Sequence, residues 1–190
     1  MFAAAGRDRP DVLNLLVDLG FSVDMQDNTG KRVLHDAAAA NAVDAAQWLI
    51  EHGAEIDPRE TMYQSTPIGW ASHGDQIAVM DLLSRYSRNI WTLCFRGYAE
   101  RVREVLAEDP RHARAVGDGG ETPLWWLPDD DGKALYVLEL LLAALADPTH
   151  RNKSGRTAAD WARRRGMRTV ADRLDAAARA WRDRSADLSP

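Results

Sequence analysis

Seven tryptophans stand in a chain of 190 residues. Three of them, Trp70, Trp126 and Trp161, follow a threonine at one offset, four residues after Thr66, Thr122 and Thr157. The same offset from Arg32 and Arg88 reaches Asp36 and Thr92. An indole offers a large rigid apolar face and one N–H donor, so a column of them can anchor a bound macromolecule, as tryptophan does at interface hot spots. Aromatic side chains at helical spacing are more often buried than used. Packing against the alanines of an adjacent unit is therefore the expected state, and a binding column the alternative.

The other reactive side chains do not assemble into known chemistry. His52, His73, His112 and His150 have no cysteine or second histidine at ligand spacing, so no metal site is expected. Cys94 is the only cysteine; it rules out an intramolecular disulfide and reads as a small buried hydrophobe in a reducing compartment. Asp129, Asp130 and Asp131 could hold a hard cation through carboxylate oxygens, but the spaced ligands and distal glutamate of a calcium loop are missing. Capping of the helix that follows is the plainer reading. With no nucleophile beside a base, no carboxylate dyad and no phosphate loop, the sequence argues against an enzyme and against a cofactor.

Charge is unevenly spread. From Arg151 to Arg184 there are eleven Lys or Arg and four Asp, a local +7, whereas residues 1–150 sum to −11. Such asymmetry suits an acidic partner or nucleic acid. A solvated outer face on a terminal helix explains it equally and is preferred. Only Trp161 and Trp181 interleave with these arginines, fewer than single-strand binding calls for. A net charge of −5 gives no general reason to expect nucleic acid.

The elements that must position these residues repeat along the chain. From Asp27 to Pro58 the sequence turns at Asp27-Asn28-Thr29-Gly30, continues as an alanine-rich helix from Val33 to Ala40, and breaks near Asn41. A more apolar helix from Val43 to His52 then ends at Gly53, a residue suited to a C-cap. A turn and two helices in roughly 33 residues is the period of a helical solenoid. The opening phrase returns as Thr66-Pro67-Ile68-Gly69-Trp70-Ala71, as Thr122-Pro123-Leu124-Trp125-Trp126, and as Gly155-Arg156-Thr157-Ala158-Ala159-Asp160-Trp161-Ala162. A degenerate unit fills the long gap after the second phrase, with Ile90, Leu93, Cys94 and Gly97 in first-helix positions and Val102, Val105 and Leu106 in the second helix.

Asp27, Gly30, Leu34, His35, Ala37, Ala38, Leu49, Gly53 and Ala54 stand where the ankyrin repeat has its pattern residues, and over nearly the whole chain the sequence resembles that family. Arg32 and Val33 replace the usual Thr-Pro, and Asn41 replaces the glycine between the helices. The resemblance implies an all-α ankyrin-repeat solenoid of stacked helix-turn-helix units with short β-hairpin-like fingers. It implies a structural hydrogen bond from His35 joining turns. It also implies recognition of another macromolecule on the concave side, through finger tips and first-helix surfaces. The finger-tip candidates are Asn28, Thr29, Met62, Tyr63, Asp118, Lys153 and Ser154. Asp36, Trp70, His73, Trp126 and Trp161 are the groove candidates.

One array over 1–183 is expected: a partial repeat (1–26), a repeat (27–58), a repeat lacking its finger (60–86), a degenerate repeat (88–117), a repeat (118–150) and a C-terminal cap (151–183). Residues 184–190 read as a disordered tail. The opening repeat lacks the head of its first helix, so a shortened cap, residues upstream of Met1 or a partner is expected to cover that end. The fourth repeat has a loop at 127–133 about two residues longer than usual. No targeting segment or apolar run of membrane-spanning length is visible. The expectation is a cytoplasmic monomer that binds another protein, without small-molecule cofactor, metal or membrane. A regulatory or immunity-type inhibitor of an enzyme or effector is the alternative, followed by nucleic-acid binding through the arginine-rich cap.

Overall fold

In the computed structural model, which describes residues 1–186, the chain forms two compact units that meet in sequence at Asn89 and Ile90. The first unit holds α1 (Phe2–Ala5), α2 (Pro10–Asp18), α3 (Val33–Ala39), α4 (Val43–Glu51), α5 (Pro67–His73) and α6 (Ile77–Ser84). Its helices pack in two layers: α3 lies between α1 and α5, while α4 lies between α2 and α6. The inner helices are short and alanine-rich, and Ala5, Ala37, Ala38 and Ala71 are fully buried where the backbones approach. Leu13, Leu49 and Leu83 carry the buried stripe of the outer helices.

Helix starts follow local signals. Pro10 and Pro67 occupy first-turn positions, where a missing N–H costs nothing. The Thr66 hydroxyl caps α5 through the Gly69 N–H at 3.4 Å and accepts from Asn89 Nδ2 at 2.7 Å. Where threonine is absent, Arg32 offers no side-chain acceptor to α3; its guanidinium instead donates to the Asp24 carbonyl at 3.1 Å and pairs with Glu55 at 3.1 Å.

The departure at Asn41 has a specific reason. Asn41 sits in the left-handed region, φ 55°, and its side-chain Oδ1 accepts the Val79 N–H at 3.0 Å in the first turn of α6. Asp8, also left-handed with φ 53°, does the same one repeat earlier, accepting from the Ala45 N–H of α4 at 2.7 Å. A glycine would accept the backbone conformation but supply no cap to the next helix.

The second unit holds α7 (Ile90–Arg96), α8 (Ala99–Glu108), α9 (Asp131–Ala143), α10 (Ala158–Arg164) and α11 (Arg168–Ala186). A three-ten helix, Pro110–Arg114, follows α8. A second, Pro123–Trp125, packs against both α7 and α10, while α9 packs against α8 and α11. Here the expected first helix fails to form. Pro128 disfavours helical geometry at Leu127, so fewer than two turns are available after Pro123. Trp126 consequently ends a three-ten turn, with φ −107° and ψ 49°, rather than riding on an α-helix.

Two further expectations are corrected. The long loop between the helices of the fourth repeat ends earlier than 133, because Asp130 caps α9 by accepting the Lys133 N–H at 2.8 Å. The tail expected at 184–190 does not begin at 184, because α11 continues through Ala186; residues 187–190 lie outside the described residues.

Candidate functional site

Three of the fingers are each built by one polar residue at the start of the turn, Asp27, Glu60 and Asn152. The Asp27 carboxylate accepts from the Thr29 N–H at 2.8 Å, the Thr29 hydroxyl at 2.6 Å and the Lys31 N–H at 3.1 Å. These donors, the Thr29 hydroxyl first, hold its carboxyl below the ordinary range against a smaller opposing effect of burial. Asn152 repeats the arrangement, accepting from Ser154 and Arg156 at 3.0 and 3.1 Å. Neighbouring fingers are joined by the backbone: Thr61 donates to the Thr29 carbonyl at 2.8 Å, and Lys153 donates to Gly119 at 3.0 Å.

The second finger turns on Glu60, which carries no signal in the repeat pattern and was not among the candidates. Its side chain is only 1% exposed. It accepts from the N–H groups of Met62 at 2.6 Å, Tyr63 at 3.0 Å and Ser65 at 3.1 Å. Burial raises this carboxyl, but the three backbone donors outweigh burial and hold it below its usual value. The Trp70 indole N–H contributes from beyond ordinary hydrogen-bond length, since Nε1 is buried without a partner inside it. The result is a rigid loop that presents Met62 and Tyr63, 63% and 68% exposed. Asn28, Asp118, Lys153 and Ser154 are exposed as well. Thr29 is half-buried; its hydroxyl serves its own finger and its carbonyl accepts from Thr61 of the next.

Behind the fingers of the first unit, the groove candidates come together. Trp70 is half-buried with its ring edge-on to His35 at 5.9 Å and to Tyr63 at 6.3 Å. Tyr63, Ser65, Trp70 and the exposed His73 line a cavity of 270 Å³. Asp36 faces the same surface through Lys31, whose ammonium lies 3.0 Å from Asp36 Oδ1 and 5.6 Å from the Trp70 ring centroid. His35 itself is structural. Its Nδ1 accepts the Arg32 N–H at 3.1 Å, which leaves Nε2 to donate to the Ser65 carbonyl at 3.2 Å. Burial lowers its pKa, so the ring is held neutral.

In the second unit the burial expectation for the indoles is overturned. Trp126 and Trp161 are 43% and 38% exposed. The residue that enters the core is Trp125, 5% exposed, because the three-ten turn rotates it inward and pushes its neighbour out. Phe95 meets Trp126 edge-on at 6.1 Å, and Trp125 lies 6.3 Å from Trp161. Together they wall a cleft of 530 Å³ bordered by Glu121, Asp129, Arg156 and Arg165. Arg165 is committed there, donating to the Leu127 carbonyl at 2.8 Å and to Asp129 at 2.5 Å. Cys94 is fully buried, and burial pushes its thiol far up. Among the described residues, no three His, Cys, Asp or Glu converge as metal ligands, and no helix is long and apolar enough to cross a membrane.

Residues 1–94 match the family model for ankyrin repeats, in three copies, and an ankyrin repeat domain from Acinetobacter baumannii superposes on 93% of the chain. The chain is an ankyrin-repeat protein. The Acinetobacter domain has a TM-score of 0.67 at 25% identity, with 96% of its own length covered. An ankyrin repeat protein of Escherichia coli, YahD, is 25% identical over 188 residues, spanning 92% of this ankyrin-repeat chain and 93% of the relative. A palmitoyltransferase of Danio rerio is 32% identical over 71 residues, 37% of this chain and 12% of the fish protein. A chain from the complex of a Bdellovibrio bacteriovorus predatory endopeptidase with an immunity protein shares the fold, with TM-score 0.66 and 21% identity over 91% of this chain and 95% of its own. Ankyrin repeats are protein–protein interaction modules, and the fold is all-α.

Proposed function

We propose that this chain is a non-enzymatic recognition module that binds another protein, using the Tyr63–Trp70–His73 groove of the first unit, the Trp126–Trp161 cleft of the second, and the finger tips. One observation carries the reading: large aromatic side chains that a stable fold would bury are instead left partly exposed at the walls of two cavities. Rigid exposed indoles are what interface hot spots are made of. Asn28, Asp36, Met62, Asp118, Lys153 and Ser154 form the surrounding rim, and Thr29 contributes by shaping its finger. We place the protein in the cytoplasm, as a monomer without cofactor.

An immunity-type inhibitor of an enzyme or effector is a narrower version of this function. The shared fold with a chain of the endopeptidase–immunity protein complex favours it. Nucleic-acid binding is disfavoured: Arg163, Arg165 and Arg173 of the basic segment are ion-paired with Asp160, Asp129 and Glu139.

The test is affinity capture from the source organism's lysate with the wild type beside a Trp70→Ala/Trp126→Ala double variant whose circular dichroism is unchanged. A protein retained by the wild type and lost by the variant is the expected result. Capture of the same protein by both would remove the indoles from the interface. No specific capture at either low or moderate salt would overturn the recognition reading itself.

A further inference from the structure

The first unit contains a cation seat that it fills itself. Lys31 stands one residue before the Arg32 helix start and reaches over Trp70, the slot tryptophan of the following repeat. Its ammonium lies 5.6 Å from the Trp70 centroid, 5.9 Å from that of Phe2 and 3.0 Å from Asp36 Oδ1. Two ring faces and a carboxylate are the groups that hold a desolvated ammonium.

The second unit changes two places of this construction: an acid stands at the position of Lys31, and Trp126 stands at that of Asp36. The position equivalent to Lys31 is Glu121, one residue before Thr122, and the tryptophan of the following repeat is Trp161. Both line the 530 Å³ cleft with Trp126 and Phe95. Among the described residues Glu121 makes no ion pair, and no cation lies over Trp126 or Trp161. The carboxylate rests against its own finger: a Cβ at Gly119 would come within 2.5 Å of both of its oxygens, so the glycine leaves room for it there. The indoles and the carboxylate line one cleft, and its lining includes no lysine to fill it as Lys31 fills the first.

We infer that this cleft takes a lysine side chain of the protein partner, its ammonium set over the Trp126 and Trp161 faces and against Glu121. The inference rests on the recognition reading above. Of the two arginines at the rim, Arg165 is neutralised by Asp129. Arg156 is the group that would favour an anion instead, but an anion over an indole face is repelled by the same quadrupole that attracts a cation.

The experiment uses the full chain and three blocked tripeptides, Ala-Lys-Ala, Ala-norleucine-Ala and Ala-Glu-Ala, at low ionic strength. The readout is the indole N–H resonances, assigned with single Trp→Phe variants. The lysine peptide is expected to shift Trp126 and Trp161 saturably and leave Trp70 in place. Glu121→Gln should weaken it about threefold or more, as loss of an exposed charge pair does, while Arg156→Gln leaves it equal or tighter. Equal shifts from the norleucine peptide would reduce the site to an apolar cleft. Tighter binding of the glutamate peptide, abolished by Arg156→Gln, would make it an anion site. No shift from any peptide, with a captured partner still lost on Trp126→Ala, would remove the lysine inference and leave the recognition reading standing.

Discussion

His35 Nε2 lies 3.2 Å from the Ser65 carbonyl oxygen, a bond between residues thirty apart that ties the start of α3 to the end of the second finger. The ring makes this bond and the one at Nδ1, which accepts from the Arg32 N–H, together only as the neutral Nε2–H tautomer. Its folded pKa is lowered by burial below the ordinary value of 6.5. A base with a depressed folded pKa contributes stability that is whole above the unfolded pKa and declines as pH falls below it. The free energy of unfolding should therefore start to fall near pH 6.5, with a slope of up to ~1.4 kcal/mol per pH unit until the folded ring itself titrates. His35→Gln should be less stable at pH 7.5 and show a flatter profile between pH 6.5 and 5. An unchanged slope in that variant would place the titration elsewhere. Losses from Asp27, Glu60 and Asp160, whose carboxyls are held low, belong to a separate window below about pH 4.5.

Glu60 organises the second finger from beneath. Replacing it by alanine leaves three backbone N–H groups without their acceptor and should cost about 3 kcal/mol. Amide hydrogen exchange at Met62, Tyr63 and Ser65 should accelerate far more than in α5. Equal acceleration in both would mean that the carboxylate supports the unit globally and not the loop.

Trp125 and Trp126 make a paired test of burial against contact. Trp125→Ala should destabilise the second unit by about 3–5 kcal/mol, the usual cost of emptying a buried aromatic site. Trp126→Ala should leave the unfolding free energy within about 0.5 kcal/mol of wild type while weakening partner capture. A large loss of stability in the second variant would show that its exposed face is not available for binding.

Asn41 predicts that restoring the family residue is harmful. Asn41→Gly keeps the left-handed turn but loses the cap on Val79, at about 1 kcal/mol. Asn41→Ala should cost about 1–2 kcal/mol more, because alanine also pays for the left-handed backbone. Chemical denaturation of the three proteins gives the order; a glycine variant as stable as wild type would remove the capping role.

Much of the fold was legible because its signals are local. Thr66-Pro67 and Thr157 start helices where they stand, and the polar turn at Asp27 makes a finger from hydrogen bonds within five residues. The candidate site was less legible. Glu60 looked like any surface acid, and its role depends on three N–H groups converging on it after the loop has closed. The repeat pattern places Trp126 on a helix that Pro128 prevents, and the shift in geometry reverses its exposure.

The sequence by itself therefore determined the repeat, the all-α class and the positions at which aromatic and charged residues recur, since period, caps and turns are properties of short segments. Which of those residues face a partner was decided only by tertiary structure. Trp125 and Trp126 are adjacent and chemically identical, yet one is 5% and the other 43% exposed. Burial of an indole is set by what the neighbouring repeat places against it, and Lys31 over Trp70 shows the same principle for charge. Neither contact exists until the repeats are stacked.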